Sequence, residues 1–107
     1  MRHLIKNGMI YDGSGEEGYI SDILINEDKI EAIDKNIDIE VEKIIDATGM
    51  IVTPGFIDTH RHCDLAALYD PDFGTIELSQ GLTSVVGSNC GLGIVPNTDA
   101  HRQEIYD

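Results

Sequence analysis

Pro54-Gly55-Phe56-Ile57-Asp58-Thr59-His60-Arg61-His62 is the stretch on which the fold reading turns. Pro54-Gly55 closes one kind of sequence and opens another. Phe56–His60 is apolar enough to be a strand, and its continuation, Arg61-His62-Cys63-Asp64, is crowded with ionisable groups. Side chains two apart on a strand share a face, so Asp58, His60 and His62 are predicted to line one side. Two imidazoles converging at a strand's end can bind a first-row metal, and an adjacent carboxylate can orient one of them. The plainer reading is a pair of surface histidines at the start of a loop, since so short a motif also arises by chance. Position favours the metal: barrel and open-sheet α/β enzymes place their sites where strands run out into loops.

Downstream, Leu65–Leu68 and Thr75–Gln80 have helical character, interrupted by Tyr69-Asp70-Pro71-Asp72. Gly81 is suited to end the second helix, because glycine accepts the left-handed conformation there. Leu82–Val86 is strand-like again, Gly87–Gly93 is a loop, and a helix is expected over Ala100–Tyr106. This order of strand, helix, strand, helix predicts βα units and a parallel sheet. Cys90 follows its strand much as the histidines follow theirs, and a thiolate there can join them around zinc. As a nucleophile Cys90 would instead need His60 or His62 as its base. The hydrolase elbow G-x-S-x-G is absent around it, and no glycine-rich segment is followed by the Lys-Ser/Thr of a phosphate loop. Cys63 and Cys90 are too few for a disulfide scaffold, and a free cysteine is most often a small buried hydrophobe. Asp64 either supports the metal ligands or is merely solvated. Asp70 and Asp72 read as turn formers, and His3 and His101 as surface residues.

Upstream, short strands alternate with turn signals. His3–Lys6 and Met9–Tyr11 flank Asn7-Gly8, a strong tight-turn pair. Tyr19–Ile25 is a strand, Asn26-Glu27-Asp28 a turn, and Lys29–Asp34 alternates as a half-buried strand does. Lys43–Ala47 and Met50–Val52 are two further strands around Thr48-Gly49. Residues 1–54 are therefore expected to form a small antiparallel β domain, and residues 55–107 the first βα units of something larger.

The whole chain of 107 residues carries 20 acidic against 7 basic side chains, a formal net charge of −13. Phosphate neutralisation needs a clustered basic face, so nucleic acid is not an expected partner. An anionic membrane surface is disfavoured likewise, and no apolar run approaches the roughly 20 residues of a spanning helix. A cytoplasmic location is the expectation, and oligomeric state is left open.

The residues also carry a resemblance. Met50–His62 looks like the entry to the barrel in the amidohydrolase superfamily, and Asn7–Gly15 with Ile45–Gly49 is similar to that family's small β domain. Gln80-Gly81-Leu82-Thr83-Ser84-Val85-Val86-Gly87-Ser88-Asn89-Cys90-Gly91 resembles the N-acyl-D-amino-acid deacylase (D-aminoacylase) branch. The resemblance implies an α/β fold, a metal-dependent-hydrolase (β/α)8 barrel preceded by a small antiparallel β-sandwich. It implies His60, His62 and Cys90 as ligands to Zn2+, with further histidine ligands and a general-base aspartate on later barrel strands, beyond residue 107. Asp58 and Asp64 are the carboxylates read from the sequence as standing behind the ligands. The implied reaction is hydrolysis of the amide in a small-molecule N-acyl-D-amino acid. In that branch an acid often follows the second histidine; here Cys63 stands there and Asp64 comes next.

Such a barrel needs roughly 250 residues, of which positions 56–107 supply about a fifth. The barrel is therefore expected to be incomplete, the chain an N-terminal fragment of an enzyme, and the fragment inactive alone. Other readings are a cyclic-amide hydrolase of the dihydroorotase or hydantoinase type, a non-catalytic metal-binding scaffold domain, and an amidase dependent on the Cys90 thiol.

Overall fold

Leu4, Ile10, Ile23 and Leu24 are the buried aliphatic side chains that commit the N-terminal segment to a sheet. Placing them under cover requires the strands that carry them to pair, because each buried aliphatic side chain is worth about 1.5–3 kcal/mol. The computed structural model describes residues 1–91 together with Gly93 and Thr98. The helix expected over Ala100–Tyr106 lies outside the described residues. Two compact units are present, Met1–Pro54 and Gly55–Asp107.

In the first unit, β1 (Arg2–Ile10), β2 (Tyr19–Asn26), β3 (Lys29–Asp34), β4 (Lys43–Asp46) and β5 (Ile51–Val52) form one sheet. Its order is β3-β2-β1-β4, with β5 also paired to β1. The expectation of an antiparallel domain is corrected here. β1 pairs antiparallel with β2 but parallel with β4 and β5, so the sheet is mixed, and among the described residues it is one sheet rather than a sandwich of two. The physical cause is the connection after β3. Residues 35–42 carry the chain from the β3 edge to the far side of β1, and a crossover of that kind delivers a parallel partner.

Asn7-Gly8 does not turn the chain, as its composition predicts; β1 runs straight through it. Ile5 pairs with Ile23 and Gly8 with Ser21, so Lys6 and Asn7 together oppose the single residue Asp22. That is a β-bulge, and Asn7 meets its demand with a φ of 60°. Asp22 is 3% exposed and holds the bulge in place. Its Oδ1 accepts the Asn7 N–H at 2.9 Å, its Oδ2 accepts the Ile37 N–H at 3.0 Å, and Lys6 Nζ lies 3.9 Å away. One buried carboxylate thereby ties the bulge to the crossover.

The β2–β3 hairpin turns at Glu27-Asp28, as expected. Its edge strand is more exposed than its alternation predicts: Ile30 is 62% accessible. Ile30 and Ile33 instead line an apolar cleft of about 250 Å³ with Ile5, Ile25 and Val52.

The second unit holds β6 (Phe56–Asp58), α1 (Ala66–Tyr69), α2 (Thr75–Ser79) and β7 (Leu82–Val85). β6 and β7 are parallel neighbours, as the strand–helix–strand order predicts. Gly81 follows α2 with a φ of 81°, and its N–H donates to the Leu78 carbonyl at 3.0 Å. Thr83 is an extra residue in β7, lying between the pairs Phe56–Leu82 and Ile57–Ser84, and its side chain lies against Gly55.

Candidate metal centre

β6 ends at Asp58, two residues sooner than the sequence predicts, and the reason is local. Asp58 Oδ1 accepts the His60 N–H at 3.0 Å, a side-chain turn that takes the place of the ladder. The histidines therefore do not line up with Asp58 along a strand. They project from the bend beyond it, with ring centroids 5.2 Å apart and planes at 74°. The Asp58 carboxylate bonds backbone here, so any influence on the imidazoles passes through the position of His60.

Two backbone bonds lace this bend to the end of β7. Val86 N–H donates to the Asp58 carbonyl at 2.8 Å, and Arg61 N–H donates to the Val86 carbonyl at 3.1 Å. Residues 87–91 then follow beside the histidine bend and carry Cys90 in a tight, irregular turn, Asn89–Gly91. Ser88 and Cys90 both sit in the left-handed region, at φ 62° and 56°. Such a backbone costs of order 1–3 kcal/mol per residue and persists only where its surroundings hold it. Asn89 supplies one hold, donating from Nδ2 to the Val86 carbonyl at 2.7 Å. Asp64 supplies another, its Oδ1 accepting the Ser88 N–H.

The outcome is a cluster. One donor atom each from His60, His62 and Cys90 lies within 4.8 Å of the others, and Cys90 Sγ is 3.6 Å from His60 Nε2. Zinc bonds of about 2.0–2.1 Å to nitrogen and about 2.3 Å to sulfur, at tetrahedral angles, put N and S roughly 3.5 Å apart. The Cys90–His60 distance already has that value. The remaining separations need only a modest closing of exposed side chains, so the donor set fits a metal of borderline softness. Cys63, half-buried, is not among the three.

Beside the cluster lies a cleft of about 420 Å³, lined by His60, His62, Cys63, Phe73, Ile76 and Glu77 among others. Glu77, one of its charged walls, pairs with Arg61 at 2.6 Å. The Glu77 carboxyl is held below its ordinary range by its own backbone N–H and then by the Arg61 guanidinium. Sequence reading left Glu77, Ser88 and Asn89 without roles. The one available signal was the glycine-rich loop itself, whose Asn89 carries a side-chain amide able to bond nearby backbone.

Ligand-type side chains at the carboxyl ends of two adjacent parallel strands are the arrangement of an α/β metal-site protein. Comparison with known proteins carries this further. The profile of the Amidohydrolase family matches residues 43–106. D-aminoacylase of Alcaligenes xylosoxydans xylosoxydans is 38% identical over 98 residues, covering 92% of this chain and 20% of the relative. Dihydroorotase of Thermoanaerobacter sp. is 42% identical over 101 residues, covering 92% and 22%. Among solved structures, N-acyl-D-glutamate deacylase from Bordetella bronchiseptica, complexed with zinc and a phosphonate mimic of the tetrahedral intermediate, superposes with a TM-score of 0.80 at 38% identity. That match covers 88% of this chain and 20% of the deacylase. The chain belongs to the amidohydrolase family. It spans about a fifth of the length of the relatives it matches.

Proposed function

We propose that these residues supply part of the metal centre of an amidohydrolase that cleaves the amide of N-acyl-D-amino acids. The observation that carries the reading is the gathering of His60, His62 and Cys90 donor atoms within 4.8 Å at the ends of β6 and β7. In this reading the three side chains hold the ion, and zinc is the metal that mixed nitrogen and sulfur ligation suits. A bound ion supplies Lewis acidity, polarising a scissile carbonyl and acidifying a water molecule.

The chain's own residues prepare the site. Asp58 fixes the bend that presents His60, and the left-handed backbone at Cys90 aims its sulfur at the same point. The cleft beside the cluster has apolar walls in Phe73 and Ile76, which suit an acyl or aliphatic group. The βα units belong to a (β/α)8 barrel, and the general base comes from a part of the enzyme outside these residues. Similarity to the deacylase at a TM-score of 0.80 supports the choice of substrate class.

Dihydroorotase, 42% identical over much the same length, supports the competing reading of a cyclic-amide hydrolase. The complete protein, loaded with zinc, decides between them when N-acetyl-D-amino acids, their L enantiomers and dihydroorotate are compared. Selective turnover of the D series is expected; turnover of the cyclic amide alone would overturn the assignment. The 107-residue chain by itself is expected to bind metal without hydrolysing either class.

A further inference from the structure

Asp64 lies outside the donor set, yet it touches the Cys90 loop at a demanding point. Its Oδ1 accepts the Ser88 N–H, two residues before Cys90. Gly87 makes the approach possible: a Cβ there would stand 2.7 Å from the same oxygen. Asp64 Oδ2 is buried and has no hydrogen-bond partner among the described residues. A carboxylate with one buried, unsatisfied oxygen is destabilising in itself. Its position is explained by what Oδ1 does, since Ser88 and Cys90 are both in left-handed backbone that needs an external hold.

We infer that Asp64 is a positioning residue that clamps the Cys90 loop to the histidine segment and so sets the Cys90–His60 distance. The inference rests on the metal-centre reading proposed above. Asp64 stands two residues after His62, and Ser88 two before Cys90, so one hydrogen bond spans the two ligand-bearing segments. Loss of that bond frees the strained turn to relax, and the thiolate swings out of reach while the histidines stay. The effect is an indirect one, with Asp64 acting through Cys90.

Cobalt(II) titration of the chain tests this, because thiolate ligation gives a sulfur-to-cobalt charge-transfer band that histidine ligation alone does not. The parent is expected to show the band, and its absence would overturn the metal-centre reading itself. Asp64→Ala is expected to lose most of the band and to bind cobalt about 10–100-fold more weakly. Asp64→Asn keeps an oxygen for the Ser88 N–H and is expected to recover most of both. Gly87→Ala leaves Asp64 in place but pushes its carboxylate off the loop, and is expected to behave like Asp64→Ala. Adding Asp64→Ala to Cys90→Ser is expected to cost no further affinity. A band and an affinity equal to the parent's in folded Asp64→Ala would overturn the clamp and leave the metal site standing. If circular dichroism shows that Asp64→Ala does not fold, parental values in folded Gly87→Ala overturn it equally.

Discussion

Replacing Asp22 by asparagine is the most searching perturbation of the N-terminal sheet. The side chain keeps its shape but exchanges one carboxylate oxygen for an NH2 group. In the parent the two oxygens accept the N–H groups of Asn7 and Ile37, at 2.9 and 3.0 Å. In Asp22→Asn, whichever way the amide turns, one of these donors faces another donor. The lost bond was charge-assisted, worth about 1.5–3 kcal/mol net, and the bond that survives drops to the neutral value of about 1 kcal/mol. Relief from burying a charge offsets part of this, while loss of the looser Lys6 contact at 3.9 Å adds a little to it. Both backbone donors are only partly buried, so water can satisfy the orphan at some cost. A net loss of about 1.5–3 kcal/mol follows. Urea unfolding followed by far-UV circular dichroism measures it, and hydrogen exchange should show faster exchange at Asn7 or Ile37. Stability within about 0.5 kcal/mol of the parent, the range of an ordinary surface change, would refute the reasoning.

Other expectations follow from the second unit. Gly55→Ala places a Cβ 2.6 Å from Thr83 Cβ, which backbone anchors, so an overpacking loss of about 1–3 kcal/mol is expected in thermal unfolding. Glu77 has a folded pKa below its ordinary value of 4.5, so its contribution is fully present above that value and is lost as pH falls through the lowered folded pKa. Melting temperatures taken between about pH 3 and 6 should therefore fall less steeply with acid in Glu77→Gln than in the parent. Zinc at about 100 times its dissociation constant should stabilise the chain by about 2.7 kcal/mol, a shift removed by a chelator. In Cys90→Ser that zinc-dependent shift should shrink at equal zinc; an unchanged shift would remove Cys90 from the site.

The histidines and the cysteine were legible as candidates because each follows an apolar run, and strand ends are where loops expose chemistry. The parallel pairing of β6 and β7 was legible too, from helical segments and a terminating glycine between them. The route to convergence was not. Strand periodicity aligned Asp58 with His60 and His62, whereas the Asp58 carboxylate ends the strand by taking the His60 N–H. Asn7-Gly8 failed as a turn signal for a related reason: a buried carboxylate on the neighbouring strand satisfied the irregular backbone, and the strand continued as a bulge.

Local pattern thus determined which segments become strands and helices, and which residue types are able to hold a metal. Apolar periodicity and turn chemistry act over a few residues and leave their mark directly in the chain. Tertiary structure decided the mixed order of the first sheet, the bulge at Asn7 and the meeting of Cys90 with His60 across 30 positions. The first follows from where the connection after β3 leads, and the other two involve carboxylates reaching backbone groups far along the chain, as Asp22 reaches Asn7 and Ile37, and Asp64 reaches Ser88. Such bonds have no period and no fixed spacing, so only the folded chain discloses them.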